Sequence, residues 1–241
     1  MPMNADVPVT KNPKLNKSGV IYIIRVYLQL LMMLLSFFVA AGNLRVTRAW
    51  IYFGVVAVVD VVTSLLLIKY NPDLLNERAK ERKNTKNWDK PLMGFYILIA
   101  FFGIHIVAGL DAYRFGWSAL SVSCFIPGLM VYLLSVLFGA WAMIVNKHFE
   151  ATARIQNDRE HKVIQEGPYR IIRHPGYLSI ISGMIAIPLM IGSLYAFLCS
   201  FAVIIIISIR TALEDKMLQH ELNGYCDYTK KVKYRLIPFI W

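Results

Sequence analysis

The stretch PGYLSIISGMIAIPLMIGSLYAFLCSFAVIIIISI, Pro175 to Ile209, is apolar for about 35 residues. As one helix it would exceed about 50 Å, against a bilayer core of roughly 30 Å. Pro188 and Gly192 interrupt it, so it predicts two antiparallel membrane helices joined by a tight turn at Met190 to Ser193. The second helix is expected to continue through TALEDKMLQHEL to about Leu222. It stops at Asn223-Gly224, where glycine can take the left-handed cap conformation.

Working outward, the rest of the chain repeats this character. Hydrophobic residues make up 57% of the 241, and the mean hydropathy is +0.50, outside the range of soluble domains. Further spans are expected at about Val20 to Ala41, Val46 to Ile68, Leu92 to Leu110 and Ala119 to Val145, the last kinked at Pro127. The fold class is therefore an all-α integral membrane protein of about six transmembrane segments. Residues 1–19 read as a cytosolic tail, 20–145 as four transmembrane helices with their loops, and 146–241 as a C-terminal core. A short interfacial helix is expected at about Leu74 to Arg82 within the charged loop Lys69 to Pro91.

The formal net charge of +11 does not point to nucleic acid. With both termini assigned to the cytosol, only Arg45, Arg48 and Arg114 of the 26 Lys and Arg residues fall on the outer turns. That asymmetry is the cytosolic bias of basic residues in membrane proteins. Cys124, Cys199 and Cys226 are too scattered for a disulfide framework or a metal pair. His148 has no partner set for a metal, and none is expected. The N-terminus lacks the pattern of a cleaved signal, and the C-terminal residues carry no prenylation box.

Directly before the apolar hairpin lies EGPYRIIRHPGYL, Glu166 to Leu178. Pro175 suits a first helical turn, because its missing N–H would be unpaired there anyway. The free N–H groups of that helix end, with Arg173 and His174 beside it, suit a carboxylate or phosphate. The same residues also fit a plain juxtamembrane basic cluster. On the last span Arg210 and Glu214 share a helix face, with Asp215 adjacent and Glu221 two turns on. If the hairpin forms, Glu214 returns to the level of Arg173, where it can bind an amine or ribose hydroxyls. A mutually paired, solvated surface is the alternative. Asp60 lies mid-span, as a site residue or a helix-bonded structural acid. His105 reads as a satisfied bundle histidine, and Tyr225 and Tyr228 as packing residues or interfacial anchors.

GPYRIIRHPGYL, the hairpin, Glu214-Asp215 and then GYCDYTKKVKYRLIP together resemble the C-terminal signature of the isoprenylcysteine carboxyl methyltransferase family and its phospholipid-methyltransferase relatives. NPDLLNER, WDK, AGLDAYRFGWS and NKHFEATARIQNDREHKVI are similar to its prokaryotic members, so the likeness covers about Asn71 to Pro238. It implies an S-adenosylmethionine site on the cytosolic side. Its walls would be His161, Val163, Ile164, Gly167, Pro168, Tyr169, His174, Pro175, Tyr177 and Glu214. Arg173 would neutralise a carboxylate of cofactor or acceptor, and Arg173 and Glu214 are the implied catalytic pair. Asp215 replaces the family's usual second Glu, which leaves its role open.

The implied activity is methylation of a lipophilic acceptor drawn from the bilayer, foremost the carboxylate of an isoprenylcysteine-like molecule. A carboxylate needs no general base; an amine or thiol acceptor must lose a proton, which Glu214, His174 or His161 could take. Phospholipid amines and small thiols are therefore alternatives. Sterol reductases of related C-terminal architecture bind NADPH but usually carry more spans. A non-catalytic membrane interaction protein retaining the fold is a further alternative.

Overall fold

The computed structural model describes residues 14–80 and 84–241, and among these the secondary structure is helical throughout. Four long helices cross first: α1 Lys17–Ala41, α2 Thr47–Tyr70, then after the short α3 Pro72–Arg78 the helix α4 Asp89–Phe115, and α5 Phe125–Val145. The hairpin follows as α6 Pro175–Ile191 and α7 Ala196–Glu221, and α8 Tyr225–Lys231 closes the chain. Five of these segments are long and apolar enough to span a bilayer, α5 being extended by the 3-10 turn Val122–Cys124. α6 is apolar but only 17 residues long, about 25 Å. The protein is an all-α, multi-pass integral membrane protein.

Several boundaries depart from expectation for local reasons. Lys17 belongs to α1, capped by Asn16, whose side chain accepts from the Ser18 and Gly19 amides. Residues 1–13 of the expected tail lie outside the described residues. The interfacial helix is α3, opened by Pro72 and capped by Asn71; Arg82, in the range expected for it, also lies outside. The fourth span begins later than Ala119, because the Leu120 amide donates to Gly192 O at 2.9 Å and holds that segment against the hairpin turn. Pro127 accordingly sits in the first turn of α5, where a missing amide costs little, and not mid-helix.

The hairpin is as the sequence predicts. Gly192 caps α6 at φ 96, in the left-handed region. Pro188 deprives Met184 O of its helical donor, and Ser200 Oγ of α7 supplies one at 2.7 Å. Arg48 of α2 donates to Met190 O (2.8 Å), Leu189 O (2.5 Å) and Leu120 O (2.8 Å). A cation at the negative end of α6 also complements its dipole. Buried Asp111 of α4 accepts from Ser118, Ser193 and the Tyr195 amide, fixing the start of α7.

Between the helices, small residues set the spacing. A Cβ on Gly139 of α5 would stand 2.4 Å from Ser179 Oγ of α6, and one on Gly128 would stand 2.7 Å from Leu189. The apolar core runs through Phe37, Tyr52, Phe53, Ile104, Met190, Val203 and Ile207. His105 is sealed in it, bonded to Tyr52 Oη (3.1 Å) and Phe101 O (2.9 Å), as a satisfied bundle histidine. The packing at the hairpin turn thus holds α6 and α7 in register at their opposite, charged ends.

Candidate functional site

At those charged ends the C-terminal segment straps the RHPGY motif in place. The amides of Arg173 and His174 donate to Tyr234 O and Arg235 O, each at 2.9 Å. Tyr228 Oη donates to Tyr169 O at 2.7 Å. Beneath the strap lies Asp215, fully buried. Its carboxylate accepts from Arg173 Nε (2.8 Å) and Nη2 (3.0 Å), Arg235 Nε (2.9 Å), Gln219 Nε2 (2.8 Å) and Tyr225 Oη (2.9 Å), and lies 3.2 Å from His174 Nε2. Burial and the Asp215 charge push the Tyr225 phenol well above its ordinary range, so it stays a donor.

Arg173 was expected to neutralise a ligand carboxylate. Instead Asp215 neutralises it, and its Nη1 is spent on Val232 O and Lys233 O, both at 2.8 Å. The physical reason is that a buried guanidinium needs an internal counter-charge, and the acid beside Glu214 provides it.

One helical turn from this hub the chain builds a second set. Tyr177 stacks on His174 with ring centres 5.6 Å apart and donates a short hydrogen bond to Glu214 Oε2. Arg210 lies 5.3 Å above the Tyr177 ring and pairs with Asp89 at 2.6 Å. Its Nη2 also donates to Ala151 O at 2.6 Å, tying α4, α7 and the 146–166 loop together. Glu214 Oε1 has no hydrogen-bond partner among the described residues.

These groups wall a cavity of about 370 Å³, within the range of small-ligand sites. It is lined by nine of the expected residues: His161, Val163, Ile164, Tyr169, Arg173, His174, Pro175, Tyr177 and Glu214. Gly167 and Pro168 do not line it. Gly167, at φ 54, packs on Trp141, and Pro168 is buried in the turn that delivers Tyr169. Asp60, Glu221 and the tyrosines of α8 also lie outside the lining; Glu221 is paired with Lys86 at 2.7 Å.

Three lining groups escape a reading of the sequence. Arg78 of α3 donates to Tyr22 Oη (2.8 Å) and Phe149 O (3.2 Å) and lies between those two rings, with no carboxylate partner among the described residues. Thr152 Oγ1 is buried and has no hydrogen-bond partner among the described residues. Tyr22, Gln29, Met93, Tyr96, Ile97 and Phe101 extend the cavity between α1 and α4. The motif NPDLLNER contains Arg78, but nothing in it tells which cations the fold leaves unpaired.

The loop wall is held by histidines kept neutral. His148 and His161 face each other at 4.7 Å, with Gln156 bridging to His148 at Nδ1 (3.3 Å) and through its O (2.7 Å). Burial, then His148, Arg154 and Arg159, push the His161 imidazole from its ordinary 6.5 down to about 4. His148 is lowered too, chiefly by burial. An unfolded chain would take up protons near pH 6.5 that the folded loop refuses. The loop's stability is therefore full above that pH and falls as pH drops towards 4. Thermal midpoints in detergent are expected to decline across this window, and His161→Phe should flatten the decline; an unchanged slope would remove His161 as its cause.

Among the described residues, no cluster of three or more His, Cys, Asp or Glu could hold a metal ion. Residues 128–220 match the isoprenylcysteine carboxyl methyltransferase (ICMT) family. No curated protein matches the chain.

Proposed function

With residues 128–220 belonging to the isoprenylcysteine carboxyl methyltransferase family, a family of membrane methyltransferases, we propose that the chain is an S-adenosylmethionine-dependent methyltransferase whose acceptor comes from the bilayer. The observation that carries this is one cavity with two characters. Glu214, Thr152 and the histidine loop line it together with Met93, Ile97 and Phe101 of the apolar span α4. The free Glu214 oxygen and the orphaned Thr152 hydroxyl suit the amine and hydroxyls of the cofactor.

S-adenosylmethionine, when bound, supplies an electrophilic methyl carbon on a sulfonium. The chain's own task is then alignment and exclusion of water. Tyr177 holds Glu214 by its short hydrogen bond, and Arg210 holds Tyr177 from above. Arg78 lines the cavity and has no acid partner among the described residues, so it is our choice for holding an anionic group of the acceptor. The carboxylate of an isoprenylcysteine-like acceptor, which the family implies, fits that role. A phospholipid amine is favoured by one observation, the polar side chain of Gln29, taken up below. The bias of Lys and Arg supports placing both termini and the site in the cytosol.

Calorimetry in detergent with S-adenosylhomocysteine, S-adenosylmethionine and NADPH tests the reading. Wild type is expected to bind both adenosyl compounds and not NADPH. Glu214→Gln should weaken them about 10- to 100-fold, since a charge-assisted hydrogen bond contributes about 1.5–3 kcal/mol. No adenosyl binding by wild type would sink the proposal.

A further inference from the structure

Gln29 of α1 is the only amide side chain in the apolar depth of the spans, since Gln219 sits in the last turns of α7 beside Asp215. It lines the cavity and has no hydrogen bond among the described residues. Ile97 and Phe101 of the apolar span α4 line the same cavity. An amide facing hydrocarbon with nothing to bond costs several kcal/mol.

Its position gives a ruler. Tyr22 and Gln29 are seven residues apart, two turns along one face of α1, which is about 10 Å. Tyr22 accepts a hydrogen bond from Arg78, so Tyr22 marks the level of the unpaired cation and Gln29 lies about 10 Å deeper. An acceptor that fills this limb therefore meets a cation first and a neutral amide further in. A bare isoprenoid tail brings nothing for that amide to bond. A glycerophospholipid brings an anionic phosphodiester at its head and ester carbonyls further down, in the same order.

We propose that Gln29 selects an acceptor of the glycerophospholipid class, donating to an ester carbonyl while Arg78 holds the phosphodiester. This rests on the methyltransferase reading for its purpose, but the binding can be tested without it. The probes are dioleoylphosphatidylethanolamine and its diether analogue, which lacks only the carbonyls, titrated into the full-length protein in detergent by native mass spectrometry. Wild type is expected to prefer the ester lipid about tenfold, and Gln29→Leu to bind both alike, with S-adenosylhomocysteine affinity unchanged. Equal affinities in wild type, or a preference that survives in Gln29→Leu, would overturn the proposal. Tighter binding of S-farnesylthiopropionic acid than of either phospholipid would also overturn it, making the limb an isoprenoid channel. Should Gln29→Leu fail to fold, the ester–ether comparison in wild type still decides, with Gln29→Met as second variant. Failure of wild type to bind S-adenosylhomocysteine would strike the methyltransferase reading alone.

Discussion

Asp215→Ala is expected to lower the thermal midpoint in detergent by about 10 °C and to abolish S-adenosylhomocysteine binding. The carboxylate is fully buried and is the counter-charge for Arg173 and Arg235. Removing one partner of a buried ion cluster typically costs about 3–5 kcal/mol, because the remaining charges are left without compensation. In a chain of this size each kcal/mol moves the midpoint by about 2–4 °C. Asp215→Asn separates charge from packing: it keeps the volume but leaves both guanidiniums unbalanced, so it should be nearly as damaging. Asp215→Glu keeps the charge, at the cost of one extra methylene in a packed site. Its loss should be the smallest of the three. An Asp215→Ala protein that melts within about 2 °C of wild type would mean that the strap does not depend on this acid.

Arg78→Leu should produce a large functional loss with little structural damage. Arg78 is partly buried and has no carboxylate partner among the described residues, so its removal leaves no orphaned acid behind. Its two protein hydrogen bonds, to Tyr22 Oη and Phe149 O, hold the mouth of the cavity and are worth about 1 kcal/mol each. Its contact with an anionic acceptor group would contribute about 1.5–3 kcal/mol. Labelled-methyl transfer to membrane lipids is therefore expected to fall about 10- to 100-fold, while S-adenosylhomocysteine affinity stays within a few-fold of wild type. Arg78→Lys keeps the charge but loses the planar fork, so it should recover part of the activity. A parallel loss of adenosyl binding in Arg78→Leu would place the cation on the cofactor instead. Unchanged turnover would remove Arg78 from the site.

Much of this site is legible in the residues themselves. Pro175 at a helix start, Gly192 at a turn and Glu214 on the returning helix are each fixed by local backbone chemistry, and together they bring Glu214 beside His174 and Tyr177. Arg173 illustrates the limit. A basic residue outside a helix N-terminus reads as an exposed cation, and nothing nearby in sequence reveals that Asp215, 42 residues on, lies against it. The same holds for Arg210, whose partner Asp89 is 121 residues away. Gly167 and Pro168 were expected in the cofactor wall from the family resemblance alone; here the turn serves to bury Pro168 and deliver Tyr169.

The sequence by itself determined the helical membrane architecture and the hairpin, because hydrophobic run length and the conformational limits of Pro and Gly are local properties. Only the tertiary structure decided which charges cancel. Pairing depends on distances between helices remote in sequence, and it spends Arg173 on Asp215 and Arg210 on Asp89 while leaving Arg78, Gln29 and one oxygen of Glu214 facing the cavity.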